Sequence, residues 1–200
     1  MFGTDIPEAW TFYADHSYVL SRLMAFSDFL FEAPVNAHRT MELYLKAYLV
    51  SNGETVAPKE SAWGHNLVEL KEHCSSHDMS FNNNDFIRRL AYFQRYFDLV
   101  RYPTSIDNKL TDGTGIWFSF DSCIIPLDEV VAFIRPRVVM TEIEWENSWL
   151  KSLYLAPEGK WTLQKKSLIN ANKLLQQILC ARTHPSKVDF SNFNCDLPGC

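Results

Sequence analysis

The amino-acid sequence predicts an all-α protein: an antiparallel up-and-down bundle of four to five helices, with a C-terminal helical extension and one irregular loop region. Apolar residues recur at three- to four-residue steps along most of the chain, which is the spacing of a helix face. Prolines and turn residues divide these runs into separate helices. A chain of 200 residues with 46% hydrophobic residues is expected to bury one sizeable core.

The first two predicted helices are long. The first begins at Asp5 and Pro7, which fit a helix start, and continues to about residue 32. Its apolar stripe consists of Trp10, Tyr13, Ser17, Leu20, Met24 and Phe31. Pro34 is expected to break or restart the helix, so the second helix is predicted over 35–50. Two long helices joined by a short break should pack antiparallel.

Shorter helices follow. A third is predicted from His65 to about Cys74, and a fourth from the Asn82–Asp85 cap cluster to just before Pro103. Residues 104–122 are expected to be irregular, with a short strand or an aromatic-pinned loop at 116–120.

Two more helices complete the predicted order. The fifth is predicted from Pro126 to about Val139, with Pro136 as its kink or end, and the last over about 162–182. This organisation predicts a bundle over 5–140, a helical extension packed on it over 141–184, and a loosely ordered tail over 185–200.

The charge and cysteine content narrow the function classes. A formal net charge of −5 argues against a strongly basic nucleic-acid binder, although Arg88, Arg89, Arg95 and Arg101 could form a local basic patch. Five cysteines without CxxC spacing are typical of free thiols in a reducing compartment. No secretory signal is visible, and no window approaches the roughly 20 apolar residues of a membrane span. We expect a cytoplasmic protein without membrane contact.

Motifs for metal, phosphate and nucleophilic chemistry are not evident. His73 and His77 have the four-residue spacing of a zinc-binding helix, but they lack the glutamate and the further ligands that such a site needs. Gly113 and Gly115 are not followed by the Lys-Ser/Thr pair of a phosphate loop. We therefore predict no metal and no cofactor.

Three ordered segments form the most specific signal. The second helix contains Glu42, Leu45, Lys46, Ala47 and Leu49, the next helix opens with Gly64-His65-Asn66-Leu67, and the fourth ends in Arg101-Tyr102-Pro103. This set resembles the HEPN family (higher eukaryotes and prokaryotes nucleotide-binding domains) over about residues 8–140. The resemblance implies a helical bundle that forms a homodimer, with RNA, a nucleotide or a nucleotidyltransferase-type protein as partner.

Many members of that family are ribonucleases with an Arg followed by a His near helix four. This chain departs from the pattern, because no His stands four to seven residues after Arg88, Arg89, Arg95 or Arg101. Neither Arg nor Tyr replaces an imidazole as a proton shuttle near neutral pH, since their reference pKa values are about 13 and 10. We therefore predict no catalytic residue.

The candidate binding residues are Arg95, Asp98, Arg101 and Tyr102 at the end of helix four, with His65 before helix three. Arg recognises phosphate through its planar fork, and Tyr can stack on a base. In the structural interpretation, Arg95 pairs with Asp98, Arg101 and Tyr102 hold the following loop, and His65 only positions helix three.

Three functions therefore remain open. The first is a HEPN-like protein that binds RNA, a nucleotide or a protein without cutting RNA. The second is a ribonuclease with a variant site built on Arg95, Arg101, Tyr102 and His65. The third is a helical adaptor with an exposed aromatic anchor, although such aromatics are more often core; its residues would be Trp117, Phe118, Phe120, Trp145, Trp149 and Trp161.

Overall fold

The computed structural model describes residues 6–29, 31–55, 64–101 and 120–139, and within these ranges every regular element is a helix. The α-helices are α1 (Pro7–Phe26), α2 (Glu32–Ser51), α3 (Leu67–His77), α4 (Asn84–Arg101) and α5 (Phe120–Ile134), with short 3-10 helices at Met79–Asn82 and Arg135–Arg137. The all-α prediction is confirmed. The predicted C-terminal extension, the tail and most of the anchor aromatics lie outside the described residues.

The break between the first two helices lies earlier than predicted. The first helix ends at Phe26, and Asp28 adopts a positive φ of 60° in the turn that follows. The second helix begins at Glu32 and includes Pro34 in its first turn. Proline is tolerated there because the amide that it lacks would have no helical partner. Pro34 therefore belongs to the start of α2 and does not interrupt it.

Asparagine side chains cap the N-termini of α3 and α4. Asn66 Oδ1 accepts hydrogen bonds from the amides of Val68 (3.0 Å) and Glu69 (3.3 Å), so α3 begins just after His65. Asn83 Oδ1 does the same for the first turn of α4. Both caps satisfy amides that a helix start leaves unpaired.

The fifth helix corrects two predictions. It begins at Phe120 and carries Pro126 in its interior, so residues 120–122 are helical rather than irregular and Phe120 is not in a strand. The α-helix ends at Ile134, and Pro136 lies in the 3-10 turn after it. Pro136 was thus predicted correctly as an end, although the helix stops short of Val139.

The second helix is the centre of the bundle. It packs against α1, α3, α4 and α5, and every residue from Thr40 to Val50 is buried. At one end an aromatic cluster closes the core: Phe86 and Phe133 have ring centroids 4.6 Å apart, and Phe81 lies edge-on to both. Within the described residues, no helix is both long and apolar enough to span a membrane.

The first helix buries only part of the predicted stripe. Ser17 is buried and Trp10 and Met24 pack partly against the core, but Tyr13 and Leu20 are exposed. Asp15 and Arg22, outside that stripe, are buried. Arg22 pairs with Asp128 of α5, which also accepts a hydrogen bond from Tyr18 (2.6 Å). The buried face follows the polar partners on neighbouring helices, because an unpaired buried charge costs more than an exposed aromatic ring.

Candidate functional site

The carboxylate of Glu42 joins the first two motif segments. Its Oε1 accepts a hydrogen bond from Lys46 Nζ (2.5 Å), one turn further along α2. Its Oε2 lies 2.9 Å from Nδ1 of His65, in the segment before α3. Residues 23 positions apart in sequence therefore share one ionic contact.

Gln94 of α4 forms a second hydrogen-bonded group with the start of α3 and with His38 of α2. Its Oε1 accepts a hydrogen bond from the Leu67 amide (2.8 Å) and lies 3.2 Å from His38 Nε2, while its Nε2 donates to Asp98 Oδ1 (3.0 Å). Because Oε1 can only accept, His38 must carry its proton on Nε2. We call His38, Glu42, Lys46, His65, Gln94 and Asp98 the polar cluster.

His38 is the buried member of the polar cluster. Its ring stacks on Phe97 with centroids 3.9 Å apart and planes 9° from parallel. Burial lowers the pKa of His38 below its usual value, despite opposing effects of the Gln94 hydrogen bond and the Glu42 charge. Its Nδ1 is buried without a hydrogen-bond partner. The ring is therefore neutral near pH 7, with an unprotonated Nδ1.

Glu42 and His65 lie at the solvent-facing edge of the polar cluster. Burial would raise the pKa of Glu42, but the hydrogen bonds from Lys46 and His65 outweigh it and lower the pKa below its usual value. The carboxylate is thus ionised at neutral pH. The His65 side chain is 58% exposed, so the pair stands where the bundle meets solvent.

The predicted site residues are only partly brought together. His65 and Asp98 both belong to the polar cluster. Arg95 is exposed, and no ion pair joins it to another described residue; Asp98 accepts from Gln94 instead. Arg101 is the last residue of α4, and its side chain lies outside the described residues. Tyr102 lies outside the described residues.

The predicted basic patch is wrong at one position. Arg89 is buried and pairs with Glu129 of α5, so it cannot meet a ligand in solvent. Arg88 is exposed and pairs with Asp85 one turn earlier. Of these cations, Arg95 is the exposed one without an ion pair among the described residues.

Sequence reasoning missed several members of the site. His38, Glu42 and Lys46 recur every fourth residue in a helix that is otherwise largely apolar, and such spacing places them on one face. That polar stripe was the signal, because polar side chains in a buried helix need partners. Arg39, exposed on α2 beside His38, was also missed.

Metal binding finds no support in the described part of the chain, where no group of three or more His, Cys, Asp or Glu could hold an ion. His77, one of the two histidines with zinc-like spacing, has its Nε2 2.7 Å from Glu54 Oε1. The contact with Glu54 explains the position of the His77 ring without a bound metal ion.

Comparisons with protein-family models, with curated proteins and with solved structures find no match to this chain. The resemblance to HEPN domains therefore stays a prediction from the motif residues.

Proposed function

We propose that this chain is a HEPN-like protein that binds RNA or a nucleotide at the polar cluster and has no ribonuclease activity of the Arg-to-His type. One observation supports the proposal above others. Glu42 of the α2 motif segment contacts His65 of the segment before α3, although they are 23 positions apart, and Gln94 of α4 bonds the neighbouring Leu67 amide and His38.

The surroundings of the polar cluster suit a small anionic ligand with an aromatic base. His65 presents an exposed ring whose centroid lies 6.4 Å from that of Phe97, and exposed rings are stacking partners for unpaired bases. Arg39 on α2 and Arg95 on α4 are exposed cations that follow His38 and Gln94 directly in sequence, and guanidinium groups pair with phosphate.

The modest number of cations limits how many phosphates of the proposed ligand the site can contact. With a net charge of −5, the chain is suited to neutralise only a few phosphates, so binding to single strands should depend weakly on salt. Each phosphate contact contributes about 0.7 to the slope of log K against log salt. We expect a slope of roughly −1 to −2 for one to three contacts.

Fluorescence anisotropy with a labelled single-stranded RNA, and competition by mononucleotides, tests this proposal. His65→Ala and Arg95→Gln should each weaken binding about tenfold, the loss expected for about 1.4 kcal/mol of contact energy. Arg88→Gln is the matched control, since it removes an equally charged, exposed side chain of the same helix and should change binding less than twofold. Absence of binding, or equal losses in all three variants, would refute the proposal.

A variant ribonuclease is the second candidate, because His65 and Glu42 form an imidazole–carboxylate pair. An ionised carboxylate at Nδ1 orients the ring and leaves Nε2 to accept a proton, which is the arrangement of a general base. Incubation of purified protein with tRNA and mRNA should then give cleavage that His65→Gln and Arg95→Ala/Arg101→Ala both abolish. Cleavage that is absent, or equal in wild type and variants, would remove this candidate.

A further inference from the structure

The last two turns of α4 are held by fewer core contacts than its first half. In the first half, Phe86, Leu90 and Phe93 are fully buried. Between positions 94 and 100 only Tyr96 is buried. A segment with few buried apolar side chains opens locally at a lower free energy than the core does. Contacts with neighbouring elements therefore decide whether this end of α4 stays in place.

Gln94 supplies polar contacts at this end of α4. Its Oε1 accepts hydrogen bonds from the Leu67 amide (2.8 Å) and from Nε2 of His38 (3.2 Å). The Asn66 side chain caps the two amides that follow, so it is Gln94 that satisfies the Leu67 amide. One oxygen atom therefore joins the end of α4 both to α2 and to the start of α3.

The position of His38 accommodates only a neutral ring. The residue is fully buried, and Phe97 covers one face of the imidazole. Nε2 carries the proton that Gln94 accepts, and Nδ1 finds no hydrogen-bond partner in the part of the chain that the structure describes. Protonation would add a charge and a second N–H group at Nδ1, and a buried donor without an acceptor is destabilising.

The charged groups around His38 do not remove this cost. Glu42, one turn further along α2, and Asp98 of α4 favour the protonated ring, whereas the imidazole of His65 opposes it. Lys46 is hydrogen-bonded to Glu42 and offsets its charge. Burial has the largest effect and lowers the pKa of His38.

We infer that His38 is a pH-sensitive switch: when its ring takes up a proton, the last two turns of α4 separate from α2 and from the start of α3. In the separated state the imidazolium is hydrated and Gln94 no longer holds the Leu67 amide. The switch rests on the contacts of the folded bundle alone. Its consequence for RNA rests on the proposed function, because separation takes Gln94 and Asp98 away from His65.

The direction of the pH effect follows from proton linkage. In the separated state the His38 ring titrates near its usual value of about 6.5, whereas the closed state has a lower pKa. Above pH 6.5 neither state binds the proton, so opening does not depend on pH. Below pH 6.5 the separated state binds it first, and the opening equilibrium rises by at most about tenfold per pH unit.

Amide hydrogen exchange of the full chain between pH 5 and 7.5, corrected for the intrinsic rate at each pH, tests the switch. Protection of the Leu67 amide should be constant above pH 6.5 and fall by up to about tenfold at pH 5.5. His38→Gln keeps an N–H donor for Gln94 but has no titrating ring, so its Leu67 protection should not change with pH.

The dependence on urea separates local opening from global unfolding. At pH 5.5 the exchange of the Leu67 amide should change little between zero and about 1 M urea, because a local opening exposes little surface. Exchange of the Leu90 amide, in the first half of α4, should follow the urea dependence of global unfolding. Equal protection and equal urea slopes for the two amides would overturn the inference, since α4 would then separate only when the whole bundle unfolds.

His65→Gln is the matched control, because it removes the exposed imidazole of the polar cluster and leaves His38 in place. Its Leu67 protection should keep the wild-type pH dependence. A dependence that persists in His38→Gln, or disappears in His65→Gln, would show that His38 is not the sensor.

The wild-type ring gives a second measurement that needs no substitution. In an NMR titration, the nitrogen shifts of His38 should show the neutral form protonated on Nε2 at pH 7, with a midpoint below 6.5. A midpoint at or above 6.5 would overturn the inference. RNA binding at pH 7.5, where the switch is closed, tests the proposed function separately, so either can fail while the other holds.

Discussion

Two helices on the outside of the bundle differ in the side chains that they expose. The fourth helix buries Phe86, Leu90 and Phe93 and exposes Arg88 and Arg95, as expected for a helix between core and water. The first helix exposes aromatic rings, and its two charged side chains beyond the first turn, Asp15 and Arg22, are buried.

The difference lies in what each helix presents to solvent. The inward side of α1 is matched to polar groups of α5 and of the turn after it, where Asp128 and Arg135 lie. The inward side of α4 has such a contact too, between Arg89 and Glu129. Outward, α4 carries exposed arginines, whereas α1 carries no exposed Asp, Glu, Lys or Arg between Ala9 and Phe26.

The largest expected effect concerns the buried charge of α1. Arg22→Ala leaves the buried Asp128 carboxylate without its ion-pair partner, and such losses cost about 3–5 kcal/mol. Urea unfolding followed by circular dichroism should show this loss of unfolding free energy. Arg95→Ala on α4 removes an exposed arginine and should change stability by less than about 0.5 kcal/mol. Equal effects would show that the two arginines do not differ in burial.

Truncating an aromatic ring on each helix should reduce stability more on α4 than on α1, the reverse of the arginine substitutions. Phe93→Leu on α4 removes buried ring atoms and should cost about 1–2 kcal/mol. Phe12→Leu on α1 alters an exposed ring and should stay within about 0.5 kcal/mol. The free energy of unfolding must be measured in dilute protein, because any self-association of the chain would add to the apparent stability of wild type. A larger loss for Phe12→Leu in dilute protein would contradict the exposed position of this ring.

The α2–α4 contact should make stability depend on pH. The pKa of His38 is lowered in the folded state. Below pH 6.5, about the usual pKa of histidine, the unfolded chain therefore binds more protons at His38 than the folded chain does. Unfolding free energy should be constant above pH 6.5 and fall as pH drops below it, by at most about 1.4 kcal/mol per pH unit for one proton.

Urea titrations between pH 5 and 7.5 test this dependence. His38→Gln should have a flatter profile over that window than wild type. The lowered pKa of Glu42 acts below its usual value of 4.5 and so outside this range. An unchanged slope in His38→Gln would assign the effect to another group.

The smallest effect concerns how the two helices begin. Asn83→Ala removes the side-chain acceptor at the start of α4 and should cost about 1 kcal/mol. Ile6, at the matching position of α1, makes no side-chain cap, so Ile6→Ala should stay within about 0.5 kcal/mol in dilute protein. Thermal unfolding would report both, and similar shifts in the two variants would contradict the cap assignment.

Much of the fold could be predicted because its signals are local. The cap cluster at Asn82–Asp85 and the stop at Pro136 both marked element boundaries within a few residues. Pro34 and Pro126 marked their helix starts less well. Pro34 lies in the first turn of α2, which begins at Glu32, and Pro126 lies in the interior of α5, which begins at Phe120.

The candidate site was less accessible to prediction. His65 was found from motif order and Asp98 as a neighbour of Arg95 on helix four, but Glu42 was placed in the motif and not in the site, and Gln94 was overlooked. Neither shows its role without the fold, because His65 meets Glu42 across 23 positions and Leu67 meets Gln94 across 27.

The sequence by itself determined that this chain is helical and where most helices begin and end, because capping, proline geometry and apolar periodicity act over a few residues. Only the tertiary structure decided which side of α1 faces the core. Both sides of that helix contain apolar residues, and the choice depended on Asp128, which pairs with Arg22 from 106 positions away. The free energy of burying a charge depends on its partner, and the partner's position is a property of the folded chain.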